Sequence, residues 1–302
     1  MATESAIPLK VDLECAHCLI ERAVNQAKLA TDNPEKQMEV VEAVTKLFGM
    51  DLNENSVPSH IGTDRDLLVQ EITGRDPYAH LKEESNELAL ELFPTLRSLV
   101  HEQTHPAARF RKAALIAAAA NAIEFDVSGR EFDLEILRDL VADVESDLAI
   151  DEVDEFYELC HEVSEVVYLM DNAGEIVLDM VLIEQIQNVG PEVTAVVKGG
   201  PILNDATMAD AEAVGLDECA DQVVDTGAPA IGVNLERDSE DFKQLLFSAE
   251  LIVAKGMGNY ESMTEFDTSE LCPVVHILRT KCWPVARHVG VDRDKNVVLI
   301  RQ

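Results

Sequence analysis

The first half of the chain carries its apolar residues three and four positions apart. From about Cys15 to Glu162 this spacing predicts helices, and Gly is scarce. Leu88, Leu92, Leu96 and Leu99 form one stripe. Residues 107–122 predict a helix whose Ala-rich run, 113–120, reads as tightly packed and buried, and residues 134–148 predict another. Asp32-Asn33-Pro34 and Asp76-Pro77 each set a capping residue before a Pro suited to a first helical turn. After Val163 the period changes. Short β-branched runs at 166–170, 193–197, 222–224, 251–254, 274–278 and 297–300 alternate with helical segments at 175–187, 207–214 and 238–246. Strand, helix, strand at this spacing predicts an α/β fold: right-handed crossovers and a mostly parallel sheet with helices on both faces. The division expected is an all-helical N-terminal domain, residues 1–160, then an α/β domain, residues 161–302. The acidic stretch 143–165 is expected to be an ordered, helical seam.

Composition adds a sign. Hydrophobic residues make up 47% and charged residues 27%, a globular balance, but 24 Lys and Arg stand against 58 Asp and Glu, a formal charge of −34. A nucleic-acid partner needs a basic footprint and is excluded as a generic role, and docking on anionic lipid is disfavoured. The carboxylates are spread along the chain rather than gathered in a tail, which fits a solvated surface kept soluble where salt screens self-repulsion. A cytoplasmic protein of a salt-loving organism is expected. No run approaches the roughly 20 apolar residues of a membrane span, and residues 1–10 carry no signal-peptide pattern. The six Cys residues are therefore expected to be thiols or metal ligands rather than a disulfide frame.

In an open parallel sheet, ligands bind beyond the carboxyl ends of the strands. Four of the predicted strands are followed there by small residues mixed with carboxylates, amides and cations. The segments begin at Asp171-Asn172, at Lys198 leading to Asn204-Asp205, at Lys255-Gly256, and at Arg279-Thr280-Lys281-Cys282. Asp171, Asn172 and Asp205 offer oxygen donors suited to a hard divalent cation. Two carboxylates balance a dication and leave room for an anionic phosphate, whose remaining oxygens Lys255 is placed to hold. These are the parts of metal-assisted phosphoryl transfer to water. Taken singly, Asp171, Asn172, Asn204 and Asp205 also fit as helix caps, and Lys255 as an ordinary turn residue. Gly256 and Gly258 fail the dinucleotide fingerprint, since position 261 is Glu. A nucleophilic Asp171 of the haloacid-dehalogenase kind lacks its second Asp, because position 173 is Ala.

Together, the segments 171–175, 200–207, 255–261 and 281–286 resemble, in order and nearly from end to end, the metal-dependent damage-control phosphatase family, also called domain of unknown function 89. Cys15-Ala16-His17-Cys18 is similar to the Cys-x-x-Cys of its mainly prokaryotic subfamily, and the charge suggests a haloarchaeal source. The resemblance implies a helical N-terminal domain packed on a Rossmann-like α/β domain, and one divalent ion (Mn²⁺, Mg²⁺, Co²⁺ or Ni²⁺) held by Asp171, Asn172 and Asp205. The activity it implies is hydrolysis of small phosphorylated metabolites such as sugar phosphates or damaged cofactor intermediates. Lys255 is then expected to bind the transferring phosphoryl group and Glu175 to orient or deprotonate the attacking water. Asn204, Asn259, Arg279, Lys281 and Asn121 are expected to contact substrate. Cys15 and Cys18, with Cys282 or Cys272, are read as a second metal site, a redox pair or plain buried thiols. Cys160 and Cys219 read as core residues, and Trp283 and Pro284 as packing beside Lys281. The alternatives to a phosphatase are a nucleotide-binding or redox-sensing module using Cys15 and Cys18, and a protein carboxyl methyltransferase, a lesser option because no glycine-rich adenosylmethionine loop is clear.

Overall fold

The computed structural model describes residues 7–120, 134–267 and 269–302. Among these residues six helices come first: α1 (Leu13–Ala30), α2 (Pro34–Asp51), α3 (Pro58–Thr73), α4 (Ala79–His101), α5 (Pro106–Ala120) and α6 (Leu134–Asp147). Strand β1 (Leu148–Asp151) and helix α7 (Val153–Glu162) lead into the alternating half: β2 (Glu165–Leu169), α8 (Glu175–Val189), β3 (Glu192–Val197), α9 (Met208–Val214), α10 (Leu216–Cys219), β4 (Gln222–Asp225), α11 (Glu240–Ser248), β5 (Ile252–Lys255), α12 (Gly256–Met263), β6 (Val274–Arg279), α13 (Trp283–Val289) and β7 (Asn296–Arg301). The seven strands lie in the order β1-β7-β6-β5-β2-β3-β4. All neighbours run parallel except β6 and β7. The α/β fold with a mostly parallel sheet is thus observed.

Alternation along each strand divides the core. Val166, Tyr168, Met170, Val253 and Val275 pack with α5 and α8 on one face, while Val167, Leu169, Ile252, Ala254 and Val274 pack with Phe242 of α11 and Met263 of α12 on the other. A strand buried on both faces needs apolar residues at both parities, which is why these runs are continuous. Helix α5 lies in the larger cluster with residues 113–120 all buried, Leu115 and Ile116 among six alanines whose small side chains bring its backbone close to its neighbours. Helices α1, α2 and α3 form their own cluster around Ala23, Val40, Val44 and Val69. They meet the second half through α3 against α12 and α1 against α13.

Two details depart from the expected pattern. The seam is not wholly helical: Leu148–Asp151 is an edge strand paired to β7, four residues too short for periodicity to reveal. Asn33 caps α2 as expected, accepting from Glu35 N at 2.9 Å, but Asp76 accepts from Tyr78 N and α4 starts later, at Ala79. Among the described residues no helix is long and apolar enough to cross a membrane.

His276 sits in β6, fully buried, with its ring edge-on to Tyr260 at 5.0 Å and neither ring nitrogen partnered among the described residues. Burial, with the Arg301 charge nearby, pushes it down to about 3 from 6.5. Between those values the unfolded chain takes up a proton that the folded one refuses, so stability is lost as pH falls through this window. Urea titrations from pH 7 to pH 4 should show wild type losing more stability than His276→Phe; equal losses in the two would show that His276 is not the group responsible.

Candidate active site

The sheet reverses its direction of growth between β2 and β5, the position at which α/β sheets open a crevice. The site is built there by a loop that folds back. After β3, residues 198–207 return along the end of β2: Asn172 and Asp205 form an antiparallel bridge, Lys198 bridges Thr207, and Ala206 N donates to Asp171 O at 2.8 Å. Residues 33 positions apart in sequence thereby become neighbours. The turn is tight. Leu203 takes φ 46°, a left-handed conformation costly for a non-Gly residue, and is held by packing on Leu67, Tyr78 and Ile231 while its N–H donates to Asp66 Oδ2.

The first strand end is fitted against the neighbouring one. Gly256 has φ +75°, and a Cβ placed on it would lie 1.8 Å from Asp171 Oδ2, so only Gly leaves the space that this carboxylate fills. Asn259 Nδ2 donates to Met170 O at 3.0 Å and Lys255 O at 2.8 Å, tying β2 to β5 immediately below Asp171. Asn172 Nδ2 donates to Glu175 Oε1 at 2.8 Å and Asp171 Oδ2 at 3.1 Å, which leaves the amide oxygen for a ligand. Lys198 Nζ reaches Gly232 O at 2.8 Å and stands 3.9 Å from Asp205 Oδ2.

The resulting cleft, about 330 Å³, is lined by Asp171, Asn172, Glu175, Asn204, Asp205 and Lys281 from the second half and by Arg22, Tyr78, Lys82 and Ser85 from the helical half. Its acids crowd one another. Burial, then Glu175 and Asp205, push Asp171 well above the usual carboxylate range against the pull of Lys255 and Lys281. Burial pushes Asp205 up to about 7, with Lys198 opposing and Asp66 adding to the rise. Two repelling carboxylates and an amide oxygen, with no sulfur or imidazole among them, make a donor set that fits a hard divalent cation.

Not every expected residue reaches this cleft. Lys255 is the clearest correction. Position 255 shares a face of β5 with Val253, which packs in the core shared with α5 and α8, so its side chain runs behind Asp171 rather than over it. Its ammonium is fully buried, 3.0 Å from Asp179 Oδ1 and 2.8 Å from Ala117 O. Asn259 is likewise 2% exposed, its Nδ2 donating to backbone carbonyls and its Oδ1 accepting from Lys198 Nζ at 3.4 Å, and it is not among the cleft residues. Arg279 turns to Asp147, 3.5 Å away, and is not among the cleft residues. Glu175 supports Asn172 from the cleft wall. Asn121 lies outside the described residues. Cys15, Cys18 and Cys282 line one adjoining cavity, while Cys272 packs beneath the sheet's other face. Among the described residues no group of three or more His, Cys, Asp or Glu side chains is arranged to hold an ion, the thiols and the cleft carboxylates alike.

Several supports were invisible in the spacing. Asn86 Oδ1 accepts from Gly174 N at 2.7 Å, and its Nδ2 donates to Asp210 Oδ1; Lys82 Nζ pairs with Asp210 Oδ2 at 3.2 Å. Asp66 is fully buried and accepts from Gln26, Gln70 and Leu203 N. The available signal was polar residues continuing a buried stripe: Lys82, Ser85 and Asn86 precede Ala89, Leu92, Leu96 and Leu99 on one face of α4.

This geometry has company. Residues 11–297 match the damage-control phosphatase ARMT1-like domain. The chain belongs to that family. It is 37% identical to an uncharacterised protein of Methanocaldococcus jannaschii over 97% of this chain and 96% of that one. It is 34% identical to a damage-control phosphatase of Archaeoglobus fulgidus, over 94% and 96%. A crystal structure of a DUF89 family protein from Pyrococcus horikoshii superposes with a TM-score of 0.86 at 30% identity, covering 97% of this chain and 99% of that one. Relatives named damage-control phosphatases support a phosphatase role for the family.

Proposed function

We propose that the chain is a metal-dependent phosphomonoester hydrolase of small phosphorylated metabolites, sugar phosphates or damaged cofactor intermediates. Asp171, Asn172 and Asp205 would hold one divalent ion, Mn²⁺, Mg²⁺, Co²⁺ or Ni²⁺. The observation that carries this reading is the fold-back of residues 198–207, which pairs Asn172 with Asp205 beside Asp171 in an oxygen-only cluster. The ion, when bound, supplies charge stabilisation for the transferring phosphoryl group and lowers the pKa of water.

The chain's own residues do the rest. Glu175 fixes the Asn172 amide so that its oxygen faces the ligand. Lys281, exposed at the cleft, neutralises phosphate oxygens that the ion leaves free. Asn204 stands at the rim as a hydrogen-bonding group for the alcohol portion. Tyr78, Leu81, Leu203, Ile231 and Met257 wall the space with apolar surface, which strengthens each charge interaction inside it. Hydrolysis then moves the phosphoryl group from the alcohol oxygen to water, with the leaving oxygen taking up a proton. The −34 charge supports the further reading of a salt-rich cytoplasm, so activity belongs at high KCl. The test is phosphate release from p-nitrophenyl phosphate and a sugar-phosphate panel at high KCl, with each metal in turn. Release that follows added metal is expected; full activity in excess chelator would overturn the mechanism.

A further inference from the structure

Against the proposed metal cleft lies a second cavity of about 570 Å³, and Arg22, Leu203, Ile231, Met257, Gly258 and Lys281 line both spaces, so they are continuous. The second cavity is lined also by Arg65 of α3, whose side chain is 1% exposed. Its Nε and Nη2 are buried with no hydrogen-bond partner among the described residues. Burial, with repulsion from Arg22, pushes Arg65 down to about 10 against the pull of Asp66. Arg22, from α1, remains open to solvent although the cleft walls surround it.

Such an arrangement is expensive unless something negative enters it. Buried donors without acceptors cost free energy, and two like charges side by side add to that cost. The lysines nearby are already satisfied: Lys82 by Asp210, Lys198 by Gly232 O and Lys255 by Asp179. Neither Arg22 nor Arg65 has a carboxylate within ion-pair distance among the described residues. Arg22 donates toward the Cys18 sulfur and is attracted by Glu261, whose carboxyl burial pushes up to about 7, while Asp66 attracts Arg65. The cavity lining sets Arg22, Arg65, Lys281 and Arg293 against Glu14, Glu21 and Glu261, so what points to a ligand is the buried guanidinium of Arg65 left without a hydrogen-bond partner among the described residues.

We infer that Arg22 and Arg65, with Lys281 shared between the two spaces, form a second anion site, and that the substrate is a phosphorylated metabolite whose far end bears another oxyanion, a carboxylate or a second phosphate. Planar guanidinium forks match either group. The apolar walls offered by Leu19, Pro58, Ile231 and Trp283 suit the carbon skeleton joining the two ends. The inference rests on the phosphatase reading only for which end is hydrolysed.

Calorimetric titration in excess chelator tests the site without turnover, with inorganic phosphate and acetate as separate probes against wild type, Arg22→Gln and Arg65→Gln. Wild type should bind at least one of them, phosphate the tighter if the far group is a phosphate and acetate if it is a carboxylate. Each substitution should weaken that binding by about tenfold or more, the worth of a charge-assisted hydrogen bond. Should Arg65→Gln not fold, Arg22→Gln, at a solvent-open position, decides the matter. No binding of either probe, or equal binding by wild type and the folded variants, overturns the second site. Release of phosphate from p-nitrophenyl phosphate would be untouched by that failure, and anion binding in chelator would equally survive a failure of the phosphatase reading.

Discussion

Asp171→Asn and Asp205→Asn should each lower metal-dependent phosphate release by about 10²–10³-fold, the scale seen when one preorganised electrostatic contact to a transition state is removed. Both changes keep shape and remove one negative charge from a cluster where Asp171, Glu175 and Asp205 repel one another. Inactivation should therefore not come from unfolding. In chelator, each variant should melt at or above the wild-type temperature, because a repelling charge is gone. Adding Mn²⁺ should then raise the wild-type melting temperature and leave the variants nearly unmoved, since a ligand stabilises only the state that binds it. Activity and metal-free stability thus move in opposite directions, as expected where a protein maintains a strained site for function. A variant with activity within tenfold of wild type, or with an unreduced Mn²⁺ shift, would remove that residue from the ligand set.

How much of this was legible depends on which element carries a residue. Asp171, Asn172 and Asp205 follow strands, and a strand's end in a parallel sheet announces itself by the change from β-branched residues to Gly, Asn and Asp. The buried placement of Lys255 was not legible because it is itself the last residue of β5: alternation pairs it with Val253, but the sequence does not reveal which face meets α5. The helical half contributed least to a reading by motif, although Arg22, Tyr78, Lys82 and Ser85 complete the cleft. Helical residues at 3.6 per turn place one polar side chain inward without a local marker, and only an interrupted apolar stripe betrays it. Strand β1 escaped for a different reason. At four residues on the sheet edge, Leu148–Asp151 has only β7 to pair with and alternates too briefly for a period to register.

Lys255→Met should destabilise the protein by about 3–5 kcal/mol, the cost of leaving one member of a buried ion pair uncompensated. The ammonium shows how tightly the pair is balanced: burial pushes Lys255 down, and the Asp179, Glu175 and Asp171 carboxylates more than restore it. Asp179 has burial pushing it up to about 6 even with Lys255 beside it, its Oδ2 has no hydrogen-bond partner among the described residues, and Tyr168 O–H donates to Oδ1 at 3.1 Å. Removing the lysine would strand that carboxylate between α8 and the sheet. Replacing both partners, as Lys255→Met with Asp179→Leu, should recover most of the loss in urea titrations, because an apolar pair of similar volume asks for no solvation. The double variant also separates two roles for the lysine. If Lys255 acts by propping the end of β5 beneath Asp171, phosphate release should return with stability, to within about tenfold of wild type. If the double variant is as stable as wild type yet as inactive as Asp205→Asn, Lys255 must reach the phosphoryl group after all, and its burial against Ala117 would have to give way when substrate binds.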